Sequence, residues 1–375
     1  MSNRPENAIK PMQQTVYKRQ LGFLFFVILP AAKLLLLPSL LAFHAERNAA
    51  LSMMVGGLAD LLVLFLVCLA IRIAPEANLG DLLQAVFGKV GAKIFLGLYC
   101  LYFLLKAYPV IFEQKSMLNQ TLYHQLPFLP TFIPYFIVLI YTACKGARVL
   151  GRNADLYWFF VACAFGLLLV LSIESADFSN LLPVLYDGPG PVLKGIWANL
   201  TWFGDFAALL AFLGKIRFTP QDKKKIWPIL TGGAAAVGTA VLFMVLTVAV
   251  FGPTVVKQAF ALTRISKYSA FLSNSGRFDW LAIILLMIGI FLNSSVMLYA
   301  AAESLRQIYG GKSSLLPTLI CGAVLFALLV VIGDNFTNAY EIYSRFLPPA
   351  AAVLQIALPA CTPLLALRYR RKHHA

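Results

Sequence analysis

The sequence predicts an all-α integral membrane protein of about ten transmembrane helices, arranged as two halves of five (5+5) with the first and sixth helices broken. Three observations lead there: the apolar composition, the regular recurrence of span-length apolar runs, and two interruptions at matching points of the halves. Of 375 residues, 60% are hydrophobic and only 13% charged, and the mean hydropathy is +0.78. A soluble domain keeps about a quarter of its residues charged. So much apolar surface finds its solvent in lipid, where a helix satisfies its own backbone hydrogen bonds.

Apolar runs of roughly twenty residues place spans near 20–43, 48–72, 91–112, 128–144, 154–174, 196–214, 227–251, 278–302, 315–333 and 347–367. Together they are expected to form a single transmembrane domain over residues 1–375. The first run, Leu21 to Phe43, lacks a small-residue cleavage site, so the first span is expected to double as the targeting signal. Pro130 and Pro134 blur the start of the fourth span, and Pro348, Pro349, Pro359 and Pro363 interrupt the tenth. Leu79 to Val90 reads as a short amphipathic helix at the interface. Three segments, 175–195, 252–277 and Asp334 to Arg345, read as external connectors or lids.

The net charge of +15 does not point to nucleic acid, because the basic residues alternate between loops as membrane topology requires. Twenty-one of the 31 Lys and Arg fall on the side that holds both termini and eight on the other, with Lys33 and Lys106 inside spans. That bias puts both termini in the cytoplasm, which requires an even number of spans.

Charged and polar residues inside spans locate the candidate site. Lys33 sits near the middle of the first span, where a lysine costs about 2.5–3.5 kcal/mol on insertion scales. Pro30 and Pro38 bracket it and mark a broken helix around Pro30-Ala31-Ala32-Lys33. In the sixth span, Phe203-Gly204-Asp205 couples a helix-weakening glycine to an acid. Broken helices at corresponding positions of two halves point to a transporter-type binding site. Asp60, midway along the second span, is a candidate to neutralise Lys33 or to carry a proton. Tyr99 and Tyr102 offer hydroxyls to a central cavity, or serve as packing aromatics. Asn293, Ser294 and Ser295 cluster in the eighth span, Asn293 and Ser294 as candidate coupling residues, or all three as residues bonded to their own backbone. Asp205 belongs to both the ligand and the ion or proton-coupling sets. Lys106 lies towards the outer end of the third span, from which its ammonium is expected to snorkel.

Enzymatic chemistry finds no constellation. The histidines, His44, His124, His373 and His374, lie in external loops or the terminal tail, and no GxSxG, Walker or HExxH pattern occurs. Cys68, Cys100, Cys144, Cys163, Cys321 and Cys361 lie in apolar helices or at their ends without CxxC spacing, so they read as small buried apolar residues. No cofactor and no metal are expected.

Three stretches carry a family resemblance: YKRQLGFLFFVILPAAKLLLLP at the start, residues 177–213 (DFSNLLPVLYDGPGPVLKGIW into WFGDFAALLAFL), and residues 276–310 (GRFDWLAIILLMIGIFLNSSVMLYAAAESLRQIYG) with their Arg-x-Asp beginning. In order and spacing they resemble the spore germination permease family (the B-type subunit of germinant receptors), a branch of the amino acid/polyamine/organocation superfamily. Where that family tends to have a small Gly-Thr-like pair, this chain has Ala32-Lys33; where it tends to have Gly-Glu, this chain has Gly204-Asp205. The resemblance implies a ten-helix inverted-repeat fold with a small-molecule site between the first and sixth helices. It also implies a larger membrane subunit and a lipoprotein subunit as partners in the inner spore membrane, and a nutrient germinant as ligand. Alternative readings are a proton-coupled amino acid or amine secondary transporter, and a structural membrane subunit whose pocket Lys33 fills.

Overall fold

The computed structural model describes residues 15–121, 128–218, 225–258, 260–261, 279–311, 313–332 and 336–374. These are almost wholly helical, with one two-stranded parallel pairing of β1 (Val16–Tyr17) with β2 (Ile216–Arg217). Seven helical stretches among them are long and apolar enough to cross a bilayer, and Phe132–Cys144 is a shorter apolar helix.

The first span is two helices, α1 (Lys18–Lys33) and α2 (Leu37–Ala45), separated by three bent residues, Leu34 to Leu36. The cause is local. Pro30 lacks an amide to continue the ladder, its carbonyl takes the last α1 bond from Leu34 N at 3.0 Å, and Pro38 restarts a helix at its first turn. Next come α3 (Ala49–Ile73) and α4 (Leu79–Thr121), which is interrupted at Gly88 (φ +72°), so that Leu79 to Phe87 forms a separate amphipathic segment. Then follow α5 (Phe128–Cys144) and α6 (Ala147–Ile173).

The sixth span is the most broken. It runs through α7 (Gly190–Ala198), a 3₁₀ turn (Leu200–Trp202), Gly204 in left-handed conformation, and a second 3₁₀ stretch (Asp205–Phe212). The second half continues with α8 (Trp227–Phe251), α9 (Asp279–Tyr309), α10 (Leu315–Ile332) and α11 (Phe336–Arg345). The tenth span is α12 (Leu347–Ala351), a π-helical turn (Ala352–Ala357) and α13 (Leu358–His374). Of the expected external segments, Phe178–Leu181 and Gly252–Lys257 form 3₁₀ turns, while 262–278, with Arg264, Lys267 and Arg277, lie outside the described residues. His124 lies outside them as well.

In the core, α1 packs against α8, α6 and α9, α4 runs along α9, and α13 lies on α3. The α1–α8 approach is backbone to backbone. A Cβ on Gly22 would strike the Pro228 carbonyl, and one on Gly232 would strike Gly22 itself. Lipid gives helices no hydrophobic reason to associate, so small residues at the seam supply close packing instead. The β1–β2 pairing (Val16↔Ile216, Tyr17↔Arg217) ties the beginning of the first span to the end of the sixth.

Candidate functional site

The two helix breaks meet at the centre, and four charged side chains from four spans converge between them. Lys33 ends α1 and is 2% exposed. Its Nζ lies 3.1 Å from Asp205 Oδ2 and 3.5 Å from Asp60 Oδ2, and it donates to the Trp202 carbonyl at 2.8 Å. The same ammonium sits 4.4 Å from the centre of the Phe203 ring, within cation–π range. Lys106, from α4, lies 3.2 Å from Asp205 Oδ1 and donates to the carbonyls of Thr201, at 3.0 Å, and Phe203. Asp60, from α3, accepts the Gly204 amide on both oxygens, at 2.8 and 3.0 Å. Two positive and two negative groups therefore balance in a region closed to water.

The backbone polar groups exposed by breaking the sixth span are also satisfied. The carbonyls of residues 201, 202 and 203 are taken by lysines and the amide of 204 by Asp60. The Leu200 carbonyl accepts Gln355 Nε2 at 2.7 Å, and Gln355 Oε1 accepts the Tyr102 hydroxyl at 3.1 Å. Gln355 comes from the π-helical turn of the tenth span and is fully buried; such turns favour functional positions. Gly204, at φ +78°, takes a backbone region that other residues enter at a cost, and an added Cβ would lie 2.6 Å from Gln355.

The residues singled out in the sequence fall as follows. Pro30, Ala31, Ala32 and Lys33 form the last turn of α1, and Phe203, Gly204 and Asp205 form the sixth-span break against it. Tyr99 and Tyr102 are buried on α4; Tyr102 reaches Gln355, while the Tyr99 hydroxyl has no hydrogen-bond partner among the described residues. Asn293 donates to the Ile28 carbonyl of α1 at 3.4 Å, whereas Ser294 and Ser295 bond to carbonyls one turn back in their own helix. Lys106 departs from expectation: it does not snorkel but is 6% exposed and shares Asp205 with Lys33. Glu113, Trp202 and Gln355 carry no signal in the sequence that singles them out. Glu113 is 1% exposed and accepts Trp202 Nε1 on Oε1 at 2.7 Å.

A second charged cluster closes the β1–β2 end of the bundle. Glu303 of α9 pairs with Lys215 at 2.7 Å and with Arg306 at 2.6 Å. Lys215 also donates to the Tyr299 hydroxyl at 2.6 Å, and its carbonyl accepts Val16 N at 3.0 Å. Burial pulls the Lys215 ammonium below the ordinary lysine range, against the opposing pull of Glu303.

Among comparisons with known proteins, the family described as "Spore germination protein" matches residues 15–337. The chain belongs to that family. Spore germination protein KB of Bacillus subtilis (strain 168) is 26% identical over 329 residues, covering 85% of this chain and 86% of that protein. This germination-family chain also has the fold of solved transporters. It superimposes on MHP1, a nucleobase-cation-symport-1 family transporter in a closed conformation with bromovinylhydantoin bound (TM-score 0.55, 11% identity, 96% of this chain and 92% of that one). It also matches the Eremococcus coleocola manganese transporter in complex with an aromatic bis-isothiourea substituted compound (TM-score 0.64, 14% identity, 94% and 78%). The architecture is thus the 5+5 inverted repeat, with broken first and sixth helices, in an integral membrane protein of the germination permease family.

Proposed function

We propose that this chain is the permease-like subunit of a spore germinant receptor and senses a small nutrient germinant in the inner spore membrane. It would act there with a larger membrane subunit and a lipoprotein subunit. In this reading residues 1–375 are one transmembrane permease-like domain with both termini cytoplasmic, as the alternation of Lys and Arg requires. It is a receptor rather than an enzyme. The ligand site is Pro30, Ala31, Ala32, Lys33, Tyr99, Tyr102, Phe203, Gly204 and Asp205, with Asp60, Asp205, Asn293 and Ser294 as the coupling set.

The observation that carries this reading is the self-occupied junction of the two breaks. Carbonyls that a broken helix would present to a ligand's ammonium are held by Lys33 and Lys106, and the acid between them is held by both. The closed state is therefore complete without ligand, as a sensor's resting state requires. Turning a 1:99 equilibrium into 99:1 takes about 5.5 kcal/mol of differential affinity. Removing one partner of a buried ion pair costs about 3–5 kcal/mol. A germinant must therefore exchange charges with the cluster rather than simply break it. A zwitterion does this, its ammonium taking the place of a lysine at Trp202 O or Asp205 and its carboxylate accompanying the displaced lysine. The partner subunits would read the shift in the broken helices.

The test is a thermal-shift screen of amino acids, sugars and nucleosides on the purified chain and on Lys33→Ala. Stabilisation of the wild type by one compound, lost in Lys33→Ala, supports a central sensing site; equal stabilisation of both refutes it. Uptake of that compound into proteoliposomes, abolished by Asp205→Asn, would instead make the chain a proton-coupled secondary transporter of amino acids or amines.

A further inference from the structure

The described residues include four buried acids: Asp60, Glu113, Asp205 and Glu303. Three have basic partners, Lys33 for Asp60, Lys33 and Lys106 for Asp205, and Lys215 and Arg306 for Glu303. Glu113 has none among the described residues. Its Oε1 accepts the Trp202 indole, the Leu36 backbone amide also faces the carboxyl, and Oε2 has no hydrogen-bond partner there. One indole and one amide do not compensate an ionised carboxylate taken out of water; such a group neutralises instead. The available neutralising species is a proton on Oε2.

Position gives this proton a consequence. Trp202 lies in the 3₁₀ turn of the sixth-span break, and Leu36 is the last bent residue of the first-span break. Glu113 on α4 thus touches both interruptions at once. The Trp202 carbonyl in turn accepts Lys33 Nζ, so Glu113 is one residue removed from the central cluster. Above it lies a cavity of about 440 Å³ between α2, α4 and the 252–257 turn, lined in part by Leu36, Ser39, Phe112, Ser116 and Tyr340. Phe112 and Ser116 flank Glu113 on α4, and Tyr340 lies 5.9 Å, ring to ring, from Trp202. The remaining titratable groups around it are Tyr340 and Lys257, which line the cavity, Tyr343, which also contacts Trp202, and Lys106 and Lys115 on α4 itself. Lys106 is committed to Asp205 and two carbonyls.

We propose that Glu113 is a proton-binding site of this protein, separate from the Lys33–Asp60–Asp205–Lys106 cluster, and that its proton holds the two helix breaks in the closed arrangement. Ionisation calls for water or a cation at Oε2, and the cavity over Phe112 and Ser116 is the source. Opening of that cavity and release of the proton are then one event. This goes beyond the sensing role and holds whether the chain senses or transports.

Infrared difference spectroscopy of the full-length protein in lipid tests it directly, between acidic and alkaline buffer in H₂O and D₂O. A protonated buried carboxyl gives a carbonyl stretch, shifted by deuteration, above the carboxylate bands. The expected result is that wild type shows this band at neutral pH and Glu113→Gln lacks it. Trp202→Phe, which removes the indole donor to Oε1, moves the band to higher frequency and identifies its owner even if the Gln variant is poorly folded. Absence of the band in wild type overturns the proposal, as does a band that neither substitution changes.

Discussion

The cluster at the helix breaks makes a quantitative prediction through Asp205→Asn. Asp205 is 3% exposed and bridges Lys33 and Lys106 at 3.1 and 3.2 Å, while Asp60 pairs with Lys33 alone of the two lysines, at 3.5 Å. The amide keeps the side-chain shape but leaves two ammonium groups facing a single carboxylate. Breaking a buried pair from one side costs about 3–5 kcal/mol, a factor of roughly 10² to 10⁴ in the folding equilibrium. Lys106→Met added to Asp205→Asn restores neutrality, and a methionine fills the stem volume. The double variant should recover about 0.5–3 kcal/mol relative to the sum of the singles, the range measured for coupled neighbours. The assay is denaturation of the detergent-purified protein followed by tryptophan fluorescence, across wild type, both singles and the double. A single variant within about 0.5 kcal/mol of wild type, or effects that simply add, would show that the four charges are not one compensated unit.

Other positions give sharper single outcomes. Gly204→Ala should cost roughly 1–2 kcal/mol from its left-handed backbone alone, and more from the Cβ that meets Gln355; Gly204→Ala combined with Gln355→Ala should then regain part of the lost thermal stability. Glu303→Gln strips Lys215 and Arg306 of their shared partner, so amide exchange across Val16–Tyr17 and Ile216–Arg217 should accelerate at least tenfold, and unchanged protection there would dissociate the ion pairs from the β1–β2 closure. The Lys and Arg distribution predicts that a membrane-impermeant thiol reagent added outside intact cells reaches a cysteine placed at Tyr186 but not one placed at Tyr369; the reverse pattern inverts the topology.

The helices were legible because hydropathy and helix geometry share a length scale: Trp227–Phe251 is one uninterrupted apolar run, so pattern and helix coincide. The breaks were legible for a different reason. Pro30, Lys33, Gly204 and Asp205 are residues a lipid-embedded helix avoids, and each therefore announces itself. The half of the site that stayed hidden lies on α4. There the apolar window closes before Glu113-Gln114-Lys115, which suggested a span ending near 112 and made Lys106 look peripheral. The helix runs on to Thr121, since glutamate, glutamine and lysine are all good helix formers, and Lys106 consequently sits at the level of the breaks with Glu113 two turns beyond it. Hydropathy registers where a chain stops being apolar; it does not register where a helix stops, nor that charges on four helices cancel. Gln355 escaped for the same reason, as a neutral polar residue in an apolar run whose role appears only once the π-helical turn brings it to Leu200 and Tyr102. A span whose polar residues cluster at one face just past its apolar window is therefore a place to extend the helix by two turns before assigning those residues to a loop.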